Sequence, residues 1–386
     1  MLAAEAIVSA RRAGFEARAA EPLAIRREAG HVHFAAMSHA ATDPIAHLPY
    51  ALGQPTASAR FRVQPEDFLV DEQLEVPEHP TGAHWWLRLR KTGMNTRDAG
   101  RSLVGLSSAR MRQLGYAGLK DRHAITTQWF SLPLECLDPE RLAPQLPAGL
   151  ELLEWKRARH AIRRGGLRAN HFTLRLRSVR GDREALAQRL AQITAGVPNY
   201  FGAQRFGHGG NNLARARTLL ATDPRATPRF ERGLYLSAAR AWLFNAVLAE
   251  RVRRGNWQQL IPGEAVILHG SRSWFPLEEP AAALEQRLQS FDIHPSGPLV
   301  GTRERGPEGA CLALEQQVLS AEQALAEGLC ALRMRAERRA LRLIPEQFEF
   351  AWSEDDLELR FALPSGTFAT AVLRELMQLE QTSRRD

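Results

Sequence analysis

His171-Phe172-Thr173-Leu174-Arg175-Leu176-Arg177 sets an apolar side chain at every second position. Successive side chains on a strand point to opposite faces, so this stretch reads as a strand with one face in a core and the other in water. The same alternation closes His84-Trp85-Trp86-Leu87-Arg88-Leu89-Arg90, and Thr126-Thr127-Gln128-Trp129-Phe130-Ser131-Leu132 is a third β-rich run. Phe61 and Val63, then Phe68 and Val70, flank Pro65-Glu66-Asp67, which reads as a turn. Between and after these strands the apolar period lengthens. Helices are expected over Asn95–Leu106, Arg183–Ala195, Asn211–Ala221, Ser237–Arg254, Ala281–Leu288 and Gln317–Leu343. A late strand, Leu357 to Leu363, leads through Pro364-Ser365-Gly366 into a last helix from Phe368 to Leu379. Strands thus concentrate in residues 60–180 and again near 347–363, with a mostly helical middle. That distribution is α+β: a sheet-bearing domain interrupted by a more helical insertion.

A chain of 386 residues with 44% hydrophobic composition can bury a large core, in two domains. No run of 18 apolar residues is present, so no spanning helix is expected. Met1 to Gly14 lacks the apolar stretch of a secretory signal; the segment is rich in Arg and Ala like a transit peptide, but Glu5, Glu16, Glu21 and Glu28 oppose that reading. Residues 1–58 read as poorly organised, and Met37 is a candidate start of translation. Cys136, Cys311 and Cys330 are far apart with no CxxC pair, which points to free thiols in a reducing cytosol. The formal charge of +8, carried by arginine, favours a polyanionic partner. A GC-rich genome produces the same arginine excess.

Three stretches carry candidate chemistry. In Tyr116-Ala117-Gly118-Leu119-Lys120-Asp121-Arg122-His123-Ala124, Gly118 permits a tight turn before four consecutive polar residues. A carboxylate between Lys120 and Arg122 stays ionised and can serve as nucleophile or base, or the cluster is a solvated charged turn. Arg157, Arg159, Arg163, Arg164 and Arg168 fall within twelve residues, a phosphate-binding arm or an exposed basic strand. Asn170 and Phe172 follow, two apart and hence on one strand face, where an aromatic can stack on an extruded base while an amide reads its edge. In Pro198-Asn199-Tyr200-Phe201-Gly202-Ala203-Gln204-Arg205-Phe206-Gly207, a Gly-rich turn before a helix either holds a phosphate or forms a tight joint with Phe201 and Phe206 buried. His31-x-His33 has no third ligand at metal spacing, and no GxSxG, HExxH, zinc-deaminase or GxGxxG motif occurs.

At these stretches the chain resembles the TruD family of tRNA pseudouridine synthases. The Ala-Gly-Leu-Lys-Asp-Arg-His-Ala core around Asp121 looks like that family's catalytic motif, and Asn199–Gly207 like its Asn-Tyr-Phe-Gly-x-Gln-Arg-Phe-Gly segment. Pro65 to Phe68, Leu236 to Arg240 with Phe244-Asn245, and Pro364 through Phe368 to Glu375 match in the same order; Ala169 stands where a Gly is common. The resemblance implies a pseudouridine synthase catalytic domain with a mixed, largely antiparallel sheet over 59–195 and 343–386, interrupted by an inserted TRUD domain over 196–342. It implies isomerisation of uridine 13 of tRNA with Asp121 as catalytic carboxylate. Phe68, Asn170 and Phe368 then contact the uridine, with Lys120, Phe172 and Glu66 beside them, and Arg163, Arg164 and Arg205 hold RNA backbone. Isomerisation has no redox change, so neither cofactor nor metal is expected. The partner is tRNA, met by a cytoplasmic monomer without a membrane or an obligatory protein partner. A catalytically silent tRNA-binding protein and a base-exchanging transglycosylase are the alternatives.

Overall fold

A computed structural model describes residues 44–277, 282–302 and 305–381. Met37, His31 and His33 lie outside the described residues. In chain order the first part carries β1 (Ser58–Phe61), β2 (Phe68–Gln73), β3 (His84–Thr92), helix α1 (Thr96–Gly105), β4 (Gly115–Tyr116), β5 (Ile125–Pro133), the one-turn α2 (Pro139–Leu142), β6 (Leu150–Ala158), β7 (Ala169–Arg180) and α3 (Arg183–Ile193). The middle carries β8 (Val197–Pro198), α4 (Asn211–Ala221), α5 (Arg229–Arg253), β9 (Ala265–Leu268), β10 (Trp274–Pro276), α6 (Ala282–Gln289), β11 (Ile293–Leu299), α7 (Gly309–Ser320), α8 (Gln323–Ala331), β12 (Glu337–Ala340) and β13 (Arg342–Leu343). β14 (Glu346–Ser353), β15 (Asp356–Pro364), α9 (Ala369–Leu376) and β16 (Gln378–Gln381) close the chain.

One sheet joins the two ends of the chain in the order β14-β15-β7-β2-β5-β3-β6, with β1 pairing β7 and β16, and β4 pairing β5. The β2–β5 and β1–β16 pairs are parallel and the rest antiparallel, so the sheet is mixed and largely antiparallel as expected. Phe172, Leu174 and Leu176 are buried in the period read from β7, against Phe68 and Val70 of β2 and the apolar faces of α3 and α9. A second apolar cluster, Leu87, Leu89, Phe130 and Leu132, packs under Ala99 and Leu103 of α1. Register puts both clusters on one sheet face: Val70 faces both Phe172 and Thr126, Thr126 faces Lys91, and Gln128 faces Leu89. Between the apolar halves runs a buried polar seam of Glu72, Lys91, Thr126 and Gln128. Four polar groups in a core are costly unless something hydrogen-bonds them. The loop of residues 117–124 lies over that seam.

Three readings need correction. The expected helix over Gln317–Leu343 holds only through α7 and α8; Glu337–Ala340 pairs with β11, and Arg342-Leu343 with β8. Ala, Arg and Leu favour helices, but ladder bonds and the buried Arg338–Glu315 ion pair at 2.7 Å override that preference. The middle is therefore not only helical, because β9 to β12 form a four-stranded sheet against the long α5. The last helix stops at Leu376, and Gln378–Gln381 turns into a strand beside β1.

Residues 44–57, read as unpatterned, are strapped to the body. Glu375 accepts the backbone N–H groups of Ala51 and Leu52 at 2.9 and 3.1 Å, and Arg189 donates to the carbonyls of Leu52 and Gly53 at 3.0 and 3.1 Å. Arg374 lies 3.7 Å over the Tyr50 ring. Such a strap leaves no period in the sequence because its partners are more than a hundred residues away.

Candidate active site

Residues 117–124 connect β4 to β5 without regular structure. Their backbone is nonetheless clamped from below by the polar seam. The Gln128 amide donates to Gly118 O at 3.4 Å and accepts from the Thr96 hydroxyl at 2.9 Å. Thr96 in turn accepts from the Lys120 N–H at 2.8 Å, and the Lys91 ammonium donates to Asp121 O and Met94 O, both at 2.7 Å. Gln128, Thr96 and Lys91 are all at most 1% exposed. Lys91 and Gln128 of the seam are thus satisfied with the loop's help, and the loop is held in place by them; the Thr126 hydroxyl is buried without a hydrogen-bond partner. Burial pushes the Lys91 amine down to about 8, against the raising effect of Asp121.

Asp121 projects its carboxylate from this clamp. Oδ2 accepts from Arg62 Nη2 at 2.9 Å, with side chains 39% and 20% exposed respectively. Arg62 leaves the end of β1 with φ of 57°, a left-handed conformation disfavoured for a side chain with a Cβ. Its guanidinium lies 3.9 Å over the Phe68 ring and 5.2 Å from that of Phe61. The cation nearest the carboxylate is thus remote in sequence, as the alternation of neighbouring side chains suggests. Lys120 and Arg122 turn elsewhere, Arg122 to Gly93 O at 3.2 Å.

Lys120 points into the fold. Nζ lies 3.0 Å from Glu72 Oε2 and 2.5 Å from Asn170 Oδ1, and the pair is 6% and 0% exposed. Burial raises the Glu72 carboxyl, with the Lys120 charge opposing it. Glu72 and Asn170 face each other across β2 and β7, so Lys120 fixes the Asn170 amide from behind. Lys120, expected beside the substrate, thus spends its ammonium on Glu72 and Asn170.

Phe68 and Phe172 are 3% and 7% exposed, edge to face at 6.0 Å, with Phe172 stacked on Phe361 at 5.6 Å. They are core residues, and only Phe68 reaches the Asp121 neighbourhood, through Arg62. Phe368 is half-buried at the N-terminus of α9, just after the turn that follows Leu363, the β15 partner of Asn170. Its ring lies 6.1 Å from Phe201. Arg205 sits 5.6 Å over Phe368 and 5.3 Å over Phe201, and Arg339 lies 4.1 Å over Phe201. Among the described residues neither arginine has a carboxylate partner. Burial, with the Arg205 charge adding to it, pushes Arg339 down to about 9. Phe201 and Phe206 are buried, so the Gly-rich turn is a packed joint, and Arg205 within it is half-buried and donates to the Ser237 hydroxyl at 3.0 Å. Glu66 is exposed, while its neighbour Asp67 is buried and holds Arg177 at 2.7 Å. Arg163 and Arg164 are exposed between β6 and β7, Arg164 donating to the Tyr116 hydroxyl at 2.7 Å.

Sequence reasoning missed Arg62, Thr96, Gln128, Lys91 and Glu72. Lys91 and Glu72 carry a signal: each is a charge at an inward position of an alternating strand. The described residues contain no cluster of His, Cys, Asp and Glu able to hold a metal.

The family model for tRNA pseudouridine synthase D (TruD) matches residues 45–229 and 211–376. The chain is 44% identical to tRNA pseudouridine synthase D of Nitrosococcus oceani over 338 residues, covering 86% of this chain and 94% of that one. It is 44% identical to the protein of the same name from Methylococcus capsulatus, over 86% of this chain and 95% of that one. A crystal structure of a TruD-family protein from Methanosarcina mazei shares the fold, with a TM-score of 0.66 at 21% identity over 85% of this chain and 95% of that one.

Proposed function

Because the chain belongs to the tRNA pseudouridine synthase D (TruD) family, we propose that it isomerises uridine 13 of tRNA to pseudouridine with Asp121 as the catalytic carboxylate. The reaction breaks the N1–C1′ bond, turns the uracil and joins C5 to C1′; C5 loses a proton and N1 gains one. Asp121 attacks C1′ or C6, or takes the C2′ proton. Each route needs a carboxylate at a fixed position, and Arg62 with the Lys91–Gln128–Thr96 clamp supports Asp121 in that role. The clamped Asp121–Arg62 pair is the observation that carries the reading.

In this reading Asn170, held by Lys120, reads the edge of the flipped uracil and Phe368 stacks on it. Arg163, Arg164 and Arg205 hold backbone phosphates. Residues 59–195 with 343–386 form the catalytic domain and 196–342 the insertion. The enzyme works as a cytoplasmic monomer and requires no cofactor. Pseudouridine mapping of total tRNA from cells lacking the gene tests this: modification at position 13 should vanish and return with the wild-type gene. Its persistence, or loss at another position only, overturns the assignment.

A further inference from the structure

Leu119 is 62% exposed, the most exposed large apolar side chain among the described residues. A lone exposed leucine is ordinary on a protein surface. This one is set apart by its backbone. Its two neighbours are tied down, Gly118 through its carbonyl to Gln128 and Lys120 through its N–H to Thr96. Leu119 is therefore held outward on a rigid loop, within about 7 Å of Asp121 along the chain.

A cavity of about 330 Å³ opens beside it, lined by Leu119, Lys120 and, from the start of α1, Arg97 and Arg101. The same two arginines line a second cavity of about 300 Å³ that ends at Tyr116 and Arg164. Arg97 lies 4.6 Å over the Phe230 ring and has no carboxylate partner among the described residues; Arg101 pairs with Asp98 at 2.8 Å. An apolar knob two residues from Asp121 thus borders a cavity whose arginines, Arg97 and Arg101, also line a second one.

Resting on the synthase reading, we infer that Leu119 is the wedge that occupies the RNA stack when the target uridine leaves it, and that Arg97 and Arg101 hold the flanking phosphate. Extruding a base opens a gap in the stack, and an apolar side chain driven between bases is an established way to hold such a gap open. The deformed strand brings its phosphate toward these cavities, where guanidinium groups receive it.

The test uses full-length tRNA carrying 2-aminopurine next to the target uridine, whose fluorescence rises as it unstacks. Wild type should raise the signal on mixing, and Leu119→Ala should leave it quenched. In the same mixture Leu119→Ala should slow single-turnover pseudouridine formation by about tenfold or more, consistent with a lost contribution to base extrusion. Leu119→Met, which keeps the apolar bulk, should restore both signal and rate. The thermal midpoint should not move, since the side chain is mostly exposed. Unstacking by Leu119→Ala equal to that of wild type overturns the wedge, whatever the rate does. Replacing Arg97 and Arg101 together by Ala should lower the slope of log Kd against log salt by about one to two; an unchanged slope removes them from the phosphate. Absence of pseudouridine with the wild-type enzyme takes the synthase reading down, and the wedge with it.

Discussion

Arg62 Nη2 lies 2.9 Å from Asp121 Oδ2 across 59 residues of sequence, and the arginine holds a left-handed φ of 57° to get there. Backbone strain of this kind persists where the surroundings impose it, and here the surroundings are a carboxylate and two phenylalanine rings. If the guanidinium holds Asp121 in its working place, Arg62→Ala should lower the single-turnover rate by about 10²–10³-fold with little change in tRNA affinity. Arg62→Lys should recover part of that rate. Unchanged turnover in Arg62→Ala would show the pair to be structural.

Lys91 makes stability depend on alkaline pH. Its amine sits near 8 in the folded protein against an ordinary 10.5. Between those values the unfolded chain binds more protons than the folded one, so stability rises with pH across that window. Below pH 8 the deficit is fully present, about 3 kcal/mol for a shift of this size. Denaturant titrations at pH 8 and 10.5 should show that rise, and Lys91→Met should flatten it. The same variant should lose activity at both pH values, because Asp121 O loses its donor.

The Lys120–Glu72 pair decides whether Lys120 is a substrate residue or a buttress. Lys120→Met leaves the Glu72 carboxyl buried without its cation, and breaking a buried pair costs about 3–5 kcal/mol. Lys120→Met with Glu72→Gln should recover most of that stability, while activity stays low because Asn170 loses its anchor. A Lys120→Met protein of wild-type stability would place the ammonium on the substrate instead.

Arg163 and Arg164, changed together to Ala, should weaken tRNA binding and flatten its salt dependence by about two in slope. Phe368→Ala should reduce turnover while the protein stays folded, since the ring is only half-buried against Phe201. Equilibrium binding across a salt series and single-turnover rates separate the two effects: the arginines act on affinity and the ring on the bound state.

Much of this architecture was legible in local pattern. The alternation of Phe172, Leu174 and Leu176 named the central strand and its inward face, and the helix from Asn211 to Ala221 begins and ends where its period does. Glu337 to Leu343 misled because Arg, Ala and Leu favour helix while β8 and β11 offered ladder partners invisible in the sequence. At the site, the run around Asp121 stood out because glycine and consecutive charges are local. Arg62 and the Thr96–Gln128–Lys91 clamp did not, since their meaning lies in bonds to residues tens of positions away. The burial of Phe68 and Phe172, 3% and 7% exposed, was not legible, because a motif does not tell a core ring from an exposed one.

The central claim is that the Asp121 carboxylate performs the chemistry. Single-turnover pseudouridine formation by Asp121→Asn, run beside equilibrium tRNA binding, tests it most directly. Asparagine fits the space and removes the charge, so pseudouridine formation should fall to background while affinity for tRNA stays within about threefold of wild type, a difference below 1 kcal/mol. Product at an appreciable fraction of the wild-type rate would contradict the claim and move the catalytic role to another side chain.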